Sequence, residues 1–351
     1  MPEEITIFCG GDSGIASLAA ALVASIGYTG VDENIYKIYF MDCGITKLER
    51  DWILLTAAGF SNVRLEIIDM TRKMDAIREF HRDCRFPLAC YSRIFIPEIA
   101  PKEKRALYLD CDVIARSDVA ELFDQYLGGH TIGAIVDSTW KHIESFREQI
   151  KEMDFAADHK YFNSGVILID CEKWRKDNIT DRFFAIERQY RGKNLCPDQC
   201  LLNKIFENNY QELDMRFNFW LDRRDKTQDI GTEMAKRNDV VIRHYADRKP
   251  LAANPEDPDY QEFWFFARMT PFYEIMKPDP IEDANFKMSW KIFGFVPILR
   301  MRCESGVCTI KLFGFIPFIK HVCCGQNHQK VYIFGIPVMK IKRKAIRVRT
   351  P

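Results

Sequence analysis

Short apolar runs alternate with longer helix-forming segments over the first 245 residues, and that alternation sets the reading of the fold. Glu4–Phe8 (EITIF), Ile35–Phe40 (IYKIYF), Val63–Ile68, Ile132–Asp137 (IGAIVD), Tyr161–Asp170 (YFNSGVILID) and Val240–Tyr245 (VVIRHY) read as strands. Ala106–Leu109 has no polar position and reads as a strand buried on both faces. Ile15–Ile26, rich in Ala and Leu, and Lys47–Ala58 predict helices. A further helix opens at Cys196-Pro197-Asp198-Gln199-Cys200 and runs through Leu201, Leu202 and Ile205. Strand and helix in turn predict an α/β chain with an open, doubly wound sheet.

The polar residues that interrupt these runs carry the candidate chemistry. Asp110 and Asp112, separated by Cys111, end the Ala106–Leu109 strand. Extended chain would place them on opposite faces, whereas a turn at the strand end can aim both at one point. Carboxylates beyond the C-terminal end of such a strand suit a hard divalent cation that carries a phosphorylated ligand. Arg93 stands in an apolar frame of Tyr91, Ile94 and Phe95 on a predicted helical turn, where a buried phosphate or carboxylate is its natural partner. Asn163-Ser164-Gly165 interrupts an apolar run, and either sugar hydroxyls or a backbone-satisfied bulge can meet its polar groups. Asp198 follows a proline and reads equally as a helix cap. His244 ends the last strand with Lys249 five residues on, which offers a metal ligand and a phosphate contact. The first strand meets a glycine turn, Cys9-Gly10-Gly11-Asp12-Ser13-Gly14, ahead of a helix. It resembles a nucleotide-binding start but lacks the dinucleotide spacing.

Composition adds limits. At 351 residues with 47% hydrophobic and 28% charged, the chain is ordinary for a soluble protein of one large or two smaller domains. Net charge is zero, yet Asn285–Pro351 holds 13 Lys/Arg against the single acid Glu304, so the preceding body carries the opposite excess. No apolar run reaches the ~20 residues of a spanning helix. The start MPEEITIF lacks a secretory signal pattern, and a cytoplasmic location is expected. Twelve cysteines show no repeated metal-ligand spacing. Cys9, Cys90 and Cys171 are read as buried reduced thiols, and no zinc is expected at Cys303, Cys308, Cys323 and Cys324.

In their order, YSRI, YLDCDV, NSGVILID, PDQCLLN and the HY…KP ending resemble glycosyltransferase family 8 over roughly Ile5–Phe272. The resemblance implies a GT-A fold, a Rossmann-like mixed sheet flanked by helices. It further implies a manganese or magnesium ion, a UDP-sugar donor and transfer with retention at the anomeric carbon. Carried over by position, Asp110, Asp112 and His244 are the expected metal ligands and Lys249 the phosphate contact. Arg93, Asp137, Asn163, Asp198 and Gln199 are expected to hold the donor sugar, with Gln199 facing its anomeric carbon. Asp12 and Ser13 are expected to reach the nucleoside. Two departures stand out: Gly14 occupies the position of the family's uracil-stacking aromatic, and the HY-to-KP segment is about one residue short, with Arg248 in place to replace a backbone contact. The expected activity is hexosyl transfer, of glucose or galactose, to a saccharide acceptor such as the lipopolysaccharide core of a bacterial surface glycolipid. The alternatives are a different nucleotide-sugar preference, or a catalytically silent protein that only binds a nucleotide-sugar.

After Pro280 the pattern changes again, and the division expected is a transferase domain over 1–280 with a small basic, β-rich, repeat-containing appendage over 281–351. Ile292-Phe293-Gly294-Phe295-Val296-Pro297 is echoed at Leu312–Pro317 and Ile333–Val338, with glycine spacings of 20 and 21 residues. Each copy is followed by an apolar pair and a base, ending at Arg300, Lys320 and Lys340. Two readings stand: peripheral attachment to an anionic membrane surface at the inner face of the cytoplasmic membrane, or a packed appendage with solvated charge. No nucleic-acid-binding module is recognisable, and no nucleic acid partner is expected.

Overall fold

The computed structural model describes residues 3–78, 87–137, 151–190, 197–220, 239–246, 249–252 and 260–276, and the strand residues 286–292, 296–304, 307–312, 316–323, 328–333 and 336–342. Arg248, the Phe-Gly pairs of the three repeats, Cys324 and the expected boundary at residue 280 lie outside the described residues. The chain forms two compact units, one reaching Glu274 and one spanning Ile275–Thr350.

In the first unit the predicted apolar runs become β1 (Glu4–Gly11), β2 (Ile35–Asp42), β3 (Val63–Asp69), β4 (Arg105–Leu109), β6 (Ile132–Val136), β7 (Phe162–Asp170) and β9 (Ile242–His244), and two short strands join them, β5 (Val113–Ala115) and β8 (Gln211–Glu212). One seven-stranded sheet has the order β3-β2-β1-β4-β7-β6-β8. Its β3-β2-β1-β4 half is parallel, and the central strands β1 and β4 are buried almost throughout. Helix α1 (Ala16–Thr29) is buried over most of its length, because its Ala residues let it lie close against its neighbours. Helix α2 (Lys47–Ala58) starts at a capping box in which Thr46 Oγ1 accepts from the Glu49 amide and the Glu49 carboxylate accepts from the Thr46 amide.

The sheet is mixed, as the family resemblance implies, whereas strand–helix alternation by itself predicts a doubly wound one. Strand β7 runs antiparallel to both β4 and β6. Apolar periodicity is the same for a strand read in either direction, so the alternation alone carries no strand direction. Around β4, β6 and β7 gathers a core that includes Tyr91, Tyr108, Trp174, Phe183 and Phe206. Cys9 and Cys171 are buried free thiols, but Cys90 is only half-buried, since it sits near the start of the helical turn Leu88–Phe95, whose buried residues begin at Tyr91.

Two local irregularities make the site. Strand β4 stops at Leu109 and β5 starts at Val113, so Asp110-Cys111-Asp112 forms the turn between them. Strand β5 then pairs antiparallel with β9, with Val113 opposite His244, and the Tyr245 amide donates to the Asp112 carbonyl at 2.9 Å. The second irregularity is in β7. Pairing with β6 jumps from Ala134↔Ile167 to Ile135↔Asn163, which leaves Ser164, Gly165 and Val166 without partners on that side. The polar triplet is thus a register break, while its other edge stays tied to β4 through the Asp110 amide and the Gly165 carbonyl at 2.7 Å.

The second unit is a six-stranded antiparallel meander, β10 (Phe286–Ile292), β11 (Val296–Glu304), β12 (Val307–Leu312), β13 (Ile316–Cys323), β14 (His328–Ile333) and β15 (Ile336–Lys342), paired in sequence order. The repeat is visible in its backbone. Register shifts fall at Trp290/Lys291, Ile310/Lys311 and Val331/Tyr332, one in each of the three repeated hairpins.

Candidate active site

Asp110, Asp112 and His244 each have one polar atom engaged by the protein and another turned toward the other two residues. Asp110 Oδ1 accepts from Arg93 Nη2 at 2.9 Å and from the Tyr108 hydroxyl at 2.7 Å. Asp112 Oδ2 accepts from Lys249 Nζ. His244 Nδ1 lies 2.9 Å from Asn218 Oδ1. An amide oxygen only accepts, so Nδ1 is the donor in this contact and Nε2 is the nitrogen turned toward the carboxylates. The atoms left over converge: His244 Nε2 is 3.5 Å from Asp112 Oδ1 and 4.0 Å from Asp110 Oδ2, and the three ligand atoms lie within 4.8 Å of one another. Among the described residues this is the group of His, Cys and carboxylate side chains arranged to hold a metal.

Charge inside the cluster is balanced pair by pair. Burial disfavours the Asp112 carboxylate, but Lys249 and His244 outweigh it and hold its pKa below the usual carboxylate range. Burial likewise works against the Lys249 ammonium, and Asp112 overcomes it and raises the pKa. Arg93, 4% exposed, is desolvated yet held firmly charged by Asp110 and Asp198. The Tyr108 phenol is pushed well above its ordinary value by burial, so it remains a donor to Asp110, while the Arg93 guanidinium stacks 4.2 Å from its ring centre.

Behind the three donors stands a polar wall supplied by β7 and by helix α3 (Pro197–Ile205). Gln199 Oε1 accepts from the Ser164 amide at 3.0 Å, and Gln199 Nε2 donates to Asp137 Oδ2 at 3.3 Å. Asp198 Oδ2 accepts from Ser164 Oγ at 3.1 Å and lies 3.3 Å from Arg93 Nη1. Burial raises the Asp198 pKa above its ordinary value despite Arg93. Asn163 Oδ1 accepts from the Gly165 amide and from Asn218 Nδ2, both at 2.9 Å. Gly165 keeps the space open: a Cβ there would lie 2.4 Å from His244 Cε1 and 2.7 Å from Asp110 Oδ2.

The sequence-predicted residues therefore divide. Arg93, Asp110, Asp112, Asp137, Asn163, Asp198, Gln199, His244 and Lys249 stand in the hydrogen-bond and ion-pair networks just described. Asp12 and Ser13 stand apart from them at the end of β1. Asp12 Oδ1 accepts from the Gly14 amide at 2.9 Å, and the Ser13 hydroxyl donates to Glu49 at 2.6 Å.

Residues 7–250 match Glycosyl transferase family 8. The chain belongs to that family. It is accordingly a glycosyltransferase. It is 27% identical over 286 residues to General stress protein A of Bacillus subtilis, a match that covers 78% of this chain and 96% of that protein. It is 25% identical over 208 residues to the lipopolysaccharide 1,2-glucosyltransferase of Escherichia coli, covering 58% of this chain and 61% of the relative, which is less than two thirds of the relative's length. The galactosyltransferase LgtC, solved with donor and acceptor sugar analogs, superimposes with a TM-score of 0.64 at 23% identity, covering 78% of this chain and all 100% of that one. The likeness places the transferase in the GT-A fold.

Sequence reasoning passed over several of the transferase's buried site residues. Asn218, 1% exposed, bridges His244 and Asn163. Its signal was available: a lone amide between the buried Phe217 and Phe219 is the kind of interruption that singled out Asn163-Ser164-Gly165. Ser164, read only as one member of the polar triplet, meets Arg93, Asp198 and Gln199, and Tyr108, read as part of an apolar strand, caps Asp110. Asn203, fully buried, donates to the carbonyls of Phe162 and Gln199 at 2.9 Å and so locks α3 against β7.

Proposed function

We propose that this transferase moves a hexose, glucose or galactose, with retention from a UDP-sugar to a saccharide acceptor, the core of a bacterial surface glycolipid such as lipopolysaccharide. The observation that carries the donor half is the convergence of Asp110 Oδ2, Asp112 Oδ1 and His244 Nε2 on one point. Two carboxylate oxygens and one imidazole nitrogen fit manganese, and magnesium less closely, with positions to spare for phosphate oxygens. Gly165 leaves the room such an ion needs. The ion supplies Lewis-acid stabilisation of the leaving diphosphate.

The chain's own residues do the rest. Asn218 holds the His244 ring through Nδ1, which keeps Nε2 aimed at the carboxylates. Lys249, half exposed, has donors beyond the one on Asp112 and offers them to a phosphate. Arg93 holds Asp110 and Asp198 in place from below. Asp137, Asn163 and Asp198 orient the sugar hydroxyls, and Gln199, fixed at both ends of its amide, faces the reacting carbon. The acceptor assignment draws support from the name of the Escherichia coli relative, and with it goes a location at the inner face of the cytoplasmic membrane. Among the described residues, no helix is long and apolar enough to cross a membrane.

A different base preference is the reading that Gly14 and the engaged Ser13 hydroxyl favour, since neither supplies a uracil-stacking ring. One experiment tests both. A panel of nucleotide-sugars is incubated with manganese, with and without chelator, and released nucleotide is measured. Chelator-sensitive release from UDP-glucose or UDP-galactose is expected. Release only from another nucleotide-sugar transfers the reading to that donor, and binding of a donor without release sinks the catalytic one.

A further inference from the structure

We propose that one face of the C-terminal six-stranded sheet is a docking surface for an anionic lipid bilayer, bound through its phosphate headgroups. The inference rests on the reading of the transferase as acting on a membrane-borne acceptor. It adds which residues make the contact and why they are arranged as they are.

Strand register assigns every position to one of two faces, since directly paired residues share a face and neighbours along a strand alternate. Lys287, Arg302, Thr309, Lys320 and Tyr332 form one row across five strands. Arg300 and Lys311 pair in a second row, Lys330 and Lys340 in a third, and Lys342 pairs with His328 on the same face. Lys291 follows the alternation of β10 onto it as well, so every Lys and Arg of the six strands falls on this face, with Glu304 its one acid. The other face carries rows such as Met288, Met301, Ile310, Ile319 and Ile333, with His321 among them and none of the strands' Lys, Arg, Asp or Glu.

Two features of this arrangement point outward, to an anionic partner. Like charges directly opposite each other destabilise a sheet, yet Lys287↔Arg302, Arg300↔Lys311 and Lys330↔Lys340 are all paired in register. A sheet that needed only solubility would interleave both signs, and here Glu304 is the single carboxylate. Antiparallel sheets commonly pack an apolar face and solvate the opposite one, and a solvated cationic face is open to an anionic partner. Six strands spaced about 4.8 Å apart make a cationic plane about 24 Å across. A plane matches a surface rather than a duplex groove, and among the paired strand residues Tyr332 is the one Phe, Tyr or Trp on it, too few to stack a single strand of nucleic acid.

The test uses the full chain and sedimentation with phosphatidylglycerol vesicles, beside phosphatidylcholine vesicles and a single-stranded RNA oligomer, at low salt. One variant combines Arg302→Gln, Lys311→Gln, Lys320→Gln and Lys330→Gln. A second removes the same charge outside the strands through Arg343→Gln, Lys344→Gln, Arg347→Gln and Arg349→Gln. The first is expected to weaken partition onto phosphatidylglycerol by about a thousandfold, about 1 kcal/mol for each neutralised cation, and the second by less than about tenfold. Equal losses in the two variants, no binding of the full chain to phosphatidylglycerol, equal binding to phosphatidylcholine, or equal binding to RNA each overturn the proposal. If the first variant melts early, Lys311→Arg, Lys320→Arg and Lys330→Arg together replace it. That variant is expected to keep full vesicle binding, and a loss there overturns the proposal too. Nucleotide release from the donor sugar in the same preparations keeps the two readings apart. Vesicle binding without release counts against the transferase reading alone, and release without vesicle binding counts against this one alone.

Discussion

The candidate active site and the C-terminal sheet are both dense in charge, but they are built on opposite plans. In the site each cation is matched to an anion at hydrogen-bond range: Arg93 to Asp110 and Asp198, Lys249 to Asp112. Matching uses one oxygen of each metal-facing carboxylate and leaves the other aimed at a common point. In the sheet, cation stands opposite cation, and the charges spread over a plane. A convergent, self-compensated cluster selects one small ion in one geometry. A planar, uncompensated one selects a charged surface and is indifferent to its detail. Loss of a single atom should therefore disable the first and only dilute the second.

The largest contrast should come from Asp112→Asn. It removes one donor charge from the convergent point, and turnover is expected to fall by at least about a thousandfold. A single Lys320→Gln should weaken vesicle partition by only about fivefold. Steady-state release assays with manganese titration, run beside vesicle sedimentation, check both, and near-normal turnover of Asp112→Asn at limiting manganese would remove the claim that the site is convergent.

Gly165→Ala tests the geometry rather than the charge. The added methyl meets His244 and Asp110, and displacing them by about an ångström should cost about a hundredfold in turnover. A thermal melt within a few degrees of the parent, with vesicle binding unchanged, is the accompanying expectation. Full activity in this variant would mean that the space beside Gly165 is not used.

Asn218→Ala asks whether orientation matters once all three donors are present. Freed from its partner, the His244 ring can turn or change tautomer, and manganese affinity measured by electron paramagnetic resonance should drop about ten- to a hundredfold. An unchanged affinity would reduce Asn218 to packing.

The smallest effect expected at the site is that of salt. Raising ionic strength from about 0.1 M to about 1 M shortens the screening length from about 10 Å to about 3 Å, which should release the transferase from vesicles. Donor turnover should change by less than about threefold, because the paired charges of the site are partly or wholly buried. Turnover that collapses in parallel with vesicle release would erase the distinction between the two regions.

Much of this was legible in the chain before any coordinates. Ala106–Leu109 is apolar without interruption because β4 is central, and the pair of aspartates after it marks where it stops. The three tail repeats announced a β-rich, repeated unit, and the backbone repeats its register shifts at the same places. Asn163-Ser164-Gly165 was visible as an interruption but not as to kind, because a bulge and a ligand-facing triplet look alike in one dimension. It is a register break in which Ser164 meets Arg93, Asp198 and Gln199 and Asn163 Oδ1 accepts from Asn218.

By itself, then, the sequence determined what depends on neighbours along the chain. Periodicity sets strand or helix, an apolar run sets burial, and the order of YSRI, YLDCDV, NSGVILID and PDQCLLN sets the family. Only the tertiary structure decided what depends on partners far apart. It reversed β7 within the sheet, brought Val113 opposite His244, turned one oxygen of each aspartate toward the same point and placed Asn218 behind the imidazole. It also placed the bases of the six described strands on one face, which follows from pairing register and not from their spacing alone. The physical reason is the same in each case. A residue's preference for a conformation is local, whereas the direction in which a carboxylate or an ammonium acts is set by the groups that bind its other atoms.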